Sequence, residues 1–506
     1  MSKKLLLSLT LLSLLATDNL TANDVIEDDL SGFDMGDDSE ENGDLEGFGD
    51  DDTNEIGGFD DLDSSDELDG FSDNEVSDIA LQEASTQSTE ESIFSLSGNI
   101  AFKTSVGYRE HQVKASPTDA TGIEYSGINQ AQISTYLQLD TKLSDDWKIR
   151  ISGDAYYDAI YDINSNNNYN QDTLDAYKTQ LRLDDTYVQG RITRDIDLKV
   201  GRQIVVWGKS DSIRITDVIN PIDNRVPGMT DIEDLRLSVG MAKLDYYIGS
   251  WNLSAMAIVE SRILLEAAPR GEFFPVDNIF PTAPNPFIEL VTPDSSVENM
   301  QYAFAANGVF SGWDLSFYAA DVLDQKWHID TTVQKRVVTK VQMLGSAINI
   351  AAGSWLLKSE IAHLNGVKYN STTDAKSRLD ALVGVDYMGI KDTVLSLEIA
   401  NRHIFDYEAQ MSQLIGLPDY VHEDELQTAM RATRSFVNDT INATALVSMF
   451  GHNWQYGGFA RVWVEYEVMN AVNANFGIVD YIDGDKPFTK AIKDNDRVFA
   501  DITYSF

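Results

Sequence analysis

One stretch of this 506-residue chain combines glycines, a cation, an aromatic side chain and a turn signal. It contains Gly201, Arg202, Gln203, Trp207, Gly208, Asn220, Pro221 and Asp223. Its Gly208-Lys209-Ser210 portion is similar to the end of a phosphate-binding loop, in which backbone N–H groups hold phosphate oxygens. The first glycine of such a loop would fall at position 203, which is a glutamine, so phosphate-loop chemistry is excluded.

Other catalytic and metal-binding patterns are absent from the sequence. The 6 histidines include no i, i+4 pair, and without cysteine a zinc site would have to be gathered from distant strands. There is no Gly-x-Ser-x-Gly nucleophile elbow. A lipase-like site built from scattered serine, histidine and asparagine would leave no local motif, and it stays open as an alternative. We expect no metal, no cofactor and no enzymatic activity.

The elements that must position these residues are strands. From Ile93 onward, segments of about eight to twelve residues alternate apolar and polar side chains between Gly, Asn, Asp and Pro clusters. Clear examples are residues 131–140, 147–154 and 454–468. Alternating runs of about eight to ten residues suit tilted strands that cross hydrocarbon, whereas soluble strands cluster near five or six. In such a barrel the apolar face contacts lipid and the charged face lines the lumen.

The final segment has the same alternation. Val498, Ala500, Ile502, Tyr504 and Phe506 share one face, opposite mainly polar residues. This strand with its terminal phenylalanine resembles the C-terminal signature of Gram-negative outer-membrane barrels. The resemblance implies that Tyr504 and Phe506 belong to a barrel-closing strand that the barrel-assembly machinery recognises, and that the chain lies among outer-membrane lipids.

Residues 93–506 are therefore expected to form an all-β fold, a transmembrane antiparallel up-and-down β-barrel. Their length suits roughly 14 to 18 strands, and bacterial barrels take even numbers. An even count places both ends of the barrel on the periplasmic side. Aromatic residues at segment ends fit interfacial girdles: Trp147, Tyr157, Trp251, Trp313, Trp355, Trp454 and Tyr504.

Residues 1–22 have the features of a secretory signal peptide. Lys3 and Lys4 precede an apolar run from Leu5 to Leu15, and Ala22 offers a small-residue cleavage site. The alternative is an uncleaved anchor, although a spanning helix needs about 20 apolar residues. The absence of cysteine excludes disulfides and lipid attachment at a cysteine.

Residues 23–92 form an acidic tail with 27 Asp and Glu and no Lys or Arg. The tail carries much of the chain's net charge of -44, and a phosphate backbone would be repelled, so no nucleic-acid partner is expected. The tail lacks the apolar density that would offset the entropy of ordering. We expect it to be disordered and to hang in the periplasm.

The tail contains four copies of an aliphatic-x-Gly-Phe motif, which end at Phe33, Phe48, Phe59 and Phe71. In one interpretation the tail is an acidic spacer and the four copies are diverging repeats without a binding role. In another, each copy binds a groove on a partner, and four copies on a flexible chain raise the effective concentration. Calcium binding is a third interpretation, although no copy keeps the ligand spacing of an EF-hand loop.

The stretch from Gly201 to Ser210, with Asn220-Pro221-Ile222-Asp223, resembles a family of outer-membrane barrels of poorly defined function that are found with RND-type exporters of hydrophobic molecules. In that family Gly-Arg-Gln leads into Trp-Gly, usually followed by an acidic residue, and then into an Asn-Pro-hydrophobic-Asp turn. Here Lys209 occupies the acidic position, although Asp211 is close. The resemblance implies hydrophobic cargo and an RND-type exporter or periplasmic component as partner.

Arg202 interrupts the strand pattern, because it would share a face with Val200 and Ile204. A lipid-facing arginine near mid-membrane costs about 2 to 4 kcal/mol. We expect a bulge at Gly201 to turn the guanidinium inward, where it would pair with Asp211 or Asp223. Such a pair would either hold an inward loop or contact the substrate directly.

Two further features are expected in the lumen. Charged residues on the polar strand faces should be solvated lumen residues: Lys148, Arg150, Asp154, Lys358, Glu360, Glu398, Arg402, Arg461, Glu465 and Glu467. Residues 267–293 contain six prolines and four phenylalanines, which predicts a long loop. That loop either folds into the lumen as a constriction or caps the outer mouth.

Three functions remain compatible with the sequence. The first is an outer-membrane channel for a small hydrophobic or lipid-like molecule, with an RND-type exporter docked through the tail. The second is a general diffusion porin for small polar solutes. The third is a plugged barrel that acts as a surface scaffold or adhesin.

Overall fold

The computed structural model of the protein describes residues 93–113, 122–164, 168–274, 289–413 and 419–506. The expected signal peptide and the acidic tail, with Phe33, Phe48, Phe59 and Phe71, lie outside them. No helix in the described ranges is long and apolar enough to cross a membrane.

The described chain is mostly strand. The strands are β1 (Phe94–Gly107), β2 (Gln112–Val113), β3 (Ile123–Glu124), β4 (Gly127–Lys142), β5 (Trp147–Asp158), β6 (Thr179–Thr193), β7 (Ile196–Gln203), β8 (Val239–Ile248), β9 (Trp251–Ile258), β10 (Leu290–Val291), β11 (Gln301–Phe310), β12 (Trp313–Leu323), β13 (His328–Asp330), β14 (Lys335–Val337), β15 (Lys340–Ala352), β16 (Trp355–Val367), β17 (Lys376–Ile390), β18 (Thr393–Ile404), β19 (Asp424–Phe436), β20 (Ile441–Phe450), β21 (Gly458–Met469), β22 (Val472–Ile482) and β23 (Arg497–Ser505). The helices are α1 (Ile160–Ile163), α2 (Gln171–Tyr177), α3 (Ile232–Leu235) and α4 (Pro487–Ile492), with 3-10 turns at Val297–Asn299 and Ala409–Ser412.

The strands close into one 18-stranded antiparallel barrel. Sequential long strands pair with each other, and β23 pairs with β1 from Val498↔Val106 to Ser505↔Asn99. Phe506 completes the closure, because its N–H donates to the carbonyl of Gly98 at 2.9 Å. The prediction of an even-numbered up-and-down barrel is confirmed, and Tyr504 and Phe506 lie on its exposed outer face.

The two ends of the barrel differ. At one end, named here the short-turn end, β1 begins, β23 finishes and tight turns join neighbouring strands. These turns are at 194–195, 249–250, 311–312, 353–354, 391–392 and 470–471. The long connections, including residues 204–238, leave from the opposite, long-loop end. Aromatic contacts surround the short-turn end: Phe310 stacks on Trp313 with ring centroids 4.3 Å apart, and Trp355 lies 4.4 Å from Tyr387. Trp454 does not continue this girdle, since it lies in a turn at φ 59° before β21 begins at Gly458.

The barrel is apolar on the outside and mixed on the inside. Ile100, Phe102, Ile133, Leu137 and Ile361 are among many large apolar side chains exposed on the outer wall. An aqueous protein would bury such a band, so this exterior fits hydrocarbon. The largest buried apolar cluster lies inside the cylinder, against the inner faces of β8 to β19.

Candidate functional site

Residues 204–238, named here the lumen segment, fold into the barrel after β7 ends. The side chain of Asn220, which is fully buried, ties the two ends of this segment together. Its Oδ1 accepts from the N–H of Val205 at 2.8 Å, and its Nδ2 donates to the carbonyls of Gln203 at 3.2 Å and Leu237 at 2.8 Å. The Asn-Pro turn therefore fixes where the chain leaves the wall and where it returns.

Two buried glutamates on the inner wall hold the far side of the lumen segment. Glu360 of β16 accepts backbone N–H groups from Lys209 at 2.6 Å, Ser210 at 2.8 Å and Thr216 at 3.2 Å, and the hydroxyl of Thr216 at 2.8 Å. Buried carboxylates need this degree of satisfaction, because desolvation otherwise penalises the charge.

Glu398 of β18 holds the next residues. It accepts the hydroxyl of Ser210 at 2.7 Å and the backbone N–H groups of Asp211 at 2.9 Å and Ser212 at 3.1 Å. Beside it, Lys358 pairs with Asp211 and, at 2.7 Å, with Asp386. The sequence predicted Lys358, Glu360 and Glu398 as solvated lumen residues, which is wrong: they are buried because the lumen segment covers them.

The motif's glycine and tryptophan serve this docking. Gly208 has φ 95°, and a Cβ there would lie 2.7 Å from Oε2 of Glu360, so only glycine fits. Trp207 is buried and stacks on Tyr318 of β12, with ring centroids 4.7 Å apart. Lys209, at the position where an acidic residue was expected, pairs with Asp314 at 3.1 Å.

The prediction for Arg202 is wrong in both its direction and its partner. At Gly201, the pairing of β7 with β6 and with β8 continues without a register shift, so there is no bulge. Arg202 therefore stays on the outer face with Val200. Gly201 is needed because a Cβ would lie 2.2 Å from the carbonyl of Thr186. The partner is Glu260, just after β9, at 2.6 Å. Arg202 pairs with Thr186, which pairs with Ile151 only four residues from Trp147, so the guanidinium lies at lipid depth and its charge is neutralised there by Glu260.

Asp223 does form a structural pair, but with other arginines. It accepts from Arg225 at 2.5 Å and lies 3.6 Å from Arg182 of β6. Asp231, farther along the lumen segment, bridges Arg431 at 3.0 Å and Arg461 at 2.9 Å. The segment is thus held by ion pairs on several sides of the wall.

The proline-rich loop also enters the barrel, at least in its described part. Phe273 is buried against Tyr481, with ring centroids 5.5 Å apart, and Glu272 pairs with Arg497. This favours the constriction over the outer cap for residues 267–274. Residues 275–288 lie outside the described ranges.

Three cations, two of which share the carboxylate of Asp380, lie next to the lumen segment. Lys326, in the β12–β13 connection, is reached by water yet surrounded by protein, close to Arg378 and Arg402 on the inner wall. Burial, and then the charges of these two arginines, lower the pKa of Lys326. The adjacent Gln325 donates to the carbonyls of Val218 at 3.1 Å and Asn220 at 2.9 Å, which fixes the cluster against the segment.

The lower lumen, towards the short-turn end, has a polar lining. Gln138, Asp140, Lys148 and Arg150 line its inner face on β4 and β5 and are partly exposed. Arg150 is neutralised by Asp140 at 2.8 Å. Among the described residues, no three His, Asp or Glu side chains gather as a metal site.

Sequence reasoning found the motif but missed most of its contacts. Glu360, Glu398 and Glu260 had no local signal, because each meets the motif from a distant strand. Their position on a polar strand face was the only available sign.

Comparison with known proteins gives a family and a set of remote structural similarities. The family model described as "Protein of unknown function (DUF1302)" matches residues 94–506. No curated protein matches the chain.

Three solved outer-membrane structures are remotely similar. OccAB3 of Acinetobacter baumannii has 10% identity and a TM-score of 0.48 over 82% of this chain and 99% of that chain. OccK11 (OpdR) of Pseudomonas aeruginosa has 10% identity and a TM-score of 0.46 over 82% and 96%. The outer membrane protein opdK of Pseudomonas aeruginosa has 10% identity and a TM-score of 0.45 over 81% and 99%. These similarities are too low to say anything about cargo.

Proposed function

Because the chain belongs to the DUF1302 family, whose function is unknown, we propose from the barrel's geometry that it is an outer-membrane channel for a small hydrophobic or lipid-like molecule. The observation that carries the proposal is the lumen segment, which crosses the inside of the 18-stranded barrel and is docked through Glu360 and Glu398. In this proposal the docked segment is the closed state of the channel.

The inner wall supports hydrophobic cargo. Porin-type lumens are mainly polar, yet the wall behind the lumen segment is lined by Met241, Met256, Val341, Met343 and Leu364. Val205, Trp207, Ile213 and Ile215 of the segment cover it. Displacement of the segment would expose an apolar surface, which suits a molecule with an apolar body.

Orientation and partners follow from the two ends of the barrel. Short turns face the periplasm in outer-membrane barrels, so the short-turn end, where β1 begins at Phe94, would be periplasmic. The acidic tail would then hang in the periplasm, where its four Phe motifs would dock an RND-type exporter or another periplasmic component. This partner proposal rests on the sequence alone.

A plugged scaffold or adhesin is the second candidate, and the dense anchoring of the lumen segment favours it. Planar-bilayer recordings of the purified mature protein separate the two. A channel gives steady or gated current, whereas repeated insertion without current would favour the scaffold.

Tail docking needs its own experiment in cells. We expect removal of residues 23–92, or replacement of all four tail phenylalanines by alanine, to reduce cargo movement while barrel insertion stays intact. Unchanged cargo movement would refute docking through the tail.

A further inference from the structure

The barrel wall is incomplete beside β6. The outermost β6–β7 pair is Thr186↔Arg202, after which β7 ends at Gln203 and the chain turns into the lumen. Residues 179–183 of β6 pair with β5 on one side and with no described strand on the other. At about 3.3 Å per residue, this leaves roughly 17 Å of strand edge.

The open edge lies at lipid depth. Thr179 pairs with Tyr157 and Leu183 with Gly153, on a strand that begins at the girdle residue Trp147. On the outer face, Leu181 is 90% exposed and Leu183 is 56% exposed. The edge therefore occupies the half of the wall nearer the long-loop end, which would be the outer leaflet.

The backbone of this edge points into the gap. The carbonyl of Leu183 faces the β7 side, because it accepts from Nη1 of Arg202 at 3.0 Å. The N–H and C=O of one strand residue point the same way, and alternate residues repeat that direction. The N–H groups of Leu181 and Leu183 consequently face the gap rather than β5. Backbone groups at membrane depth are tolerated only where protein or water meets them.

Behind the edge lies the charged side of the lumen segment. Arg225 donates to Gln180 at 2.7 Å, and Arg182 pairs with Asp154 at 2.7 Å. The gap thus has leucines on its outer rim, with the Arg202–Glu260 pair at its β7 end, and arginines on its inner rim. Lipid on one side and hydrated charge on the other is the environment an amphipathic molecule prefers.

We propose that this gap is a lateral portal through which an amphipathic molecule passes between the lumen and the outer leaflet, its apolar body against Leu181 and Leu183 and its polar head towards Arg182 and Arg225. The portal rests on the proposed channel function and specifies its cargo. It also explains the inward turn at Gln203, which removes the strand that would close the wall.

Amide hydrogen exchange of the protein in lipid bilayers tests the portal without any transport. The portal predicts fast exchange at Leu181 and Leu183, and slow exchange at Leu137, an outward-facing residue of β4 paired on both sides. Equal protection at these positions would overturn it, whether or not the protein conducts.

A labelling experiment tests passage. Because the chain has no cysteine, Leu181→Cys can be labelled with a bulky maleimide after folding, with Leu137→Cys as the matched control. The readouts are transfer of a pyrene-labelled fatty acid between vesicles that contain the protein, and potassium chloride conductance. We expect the label at position 181 to slow pyrene transfer several-fold and to leave conductance unchanged, and the label at 137 to change neither.

The outcomes separate the two proposals. Pyrene transfer that persists after labelling at position 181 overturns the portal and leaves the channel intact. A wild-type protein that moves neither probe overturns the channel, and the exchange measurement then still decides whether the wall is open.

Discussion

The substitution Glu360→Gln should loosen the lumen segment. Glu360 accepts four hydrogen bonds from Lys209, Ser210 and Thr216, two on each carboxylate oxygen. Glutamine keeps the shape but turns one oxygen into a donor, so two of these bonds are lost. Hydrogen bonds to charged groups contribute about 1.5 to 3 kcal/mol each. The docking free energy should therefore fall by at least about 3 kcal/mol, which is about a 100-fold shift towards the displaced state.

Single-channel recording in planar bilayers measures this shift as an increase in open probability. Asp140→Asn is the matched control: it neutralises a lumen carboxylate on β4 that pairs with Arg150 of β5 and makes no described contact with the lumen segment. We expect altered ion selectivity from the control and no change in gating. If Glu360→Gln leaves gating as in wild type while the thermal unfolding temperature falls, the glutamate only stabilises the fold and the gating interpretation is refuted.

Three further substitutions test neighbouring contacts. Gly208→Ala should destabilise the docked segment by about 1 to 2 kcal/mol, because an alanine disfavours the positive φ at this position, and the clash of its Cβ with Glu360 should add to this cost. We therefore expect a higher open probability. A thermal unfolding temperature and gating equal to those of the wild type would contradict this. Asn220→Ala removes three buried hydrogen bonds that join the two ends of the lumen segment. Because each buried group left unsatisfied costs about 1 to 3 kcal/mol, trypsin should cut the lumen segment faster in the folded protein. Equal cleavage would show that these hydrogen bonds are not needed to hold the segment. Lys326→Met removes a cation and should shift the ion selectivity of the conductance towards cations. Because the pKa of Lys326 is lowered, the wild-type protein should show the same shift as the pH rises, at a lower pH than for an ordinary lysine; a pH profile shared by both proteins would contradict this.

The strand pattern of the barrel could be predicted from sequence because it is local. Alternation assigned Leu137 outward and Gln138 inward, and it identified the closing strand, since a period of two is set by backbone geometry alone. The pattern failed at Trp454, where a turn precedes the strand. It also failed at Arg202, which faces outward and pairs with Glu260 without a bulge at Gly201.

The site could be predicted only in outline. The motif around Trp207 and Asn220 was singled out, but its meaning depends on how far the chain reaches into the barrel. Contacts between the segment and Glu360 join residues about 150 positions apart, and no local pattern encodes them. The inward proline-rich loop was one of two open alternatives, and the burial of Phe273 favours it for residues 267–274.

Site-directed spin labelling along β4 tests the central claim, that lipid surrounds this barrel, most directly. Single cysteines at Leu137 and at Gln138 would carry nitroxides in protein reconstituted into bilayers. The account predicts that oxygen, which dissolves in hydrocarbon, relaxes the label at 137, and that a water-soluble nickel complex relaxes the label at 138. Strong relaxation of both labels by the nickel complex, with no preference for oxygen at 137, would contradict it.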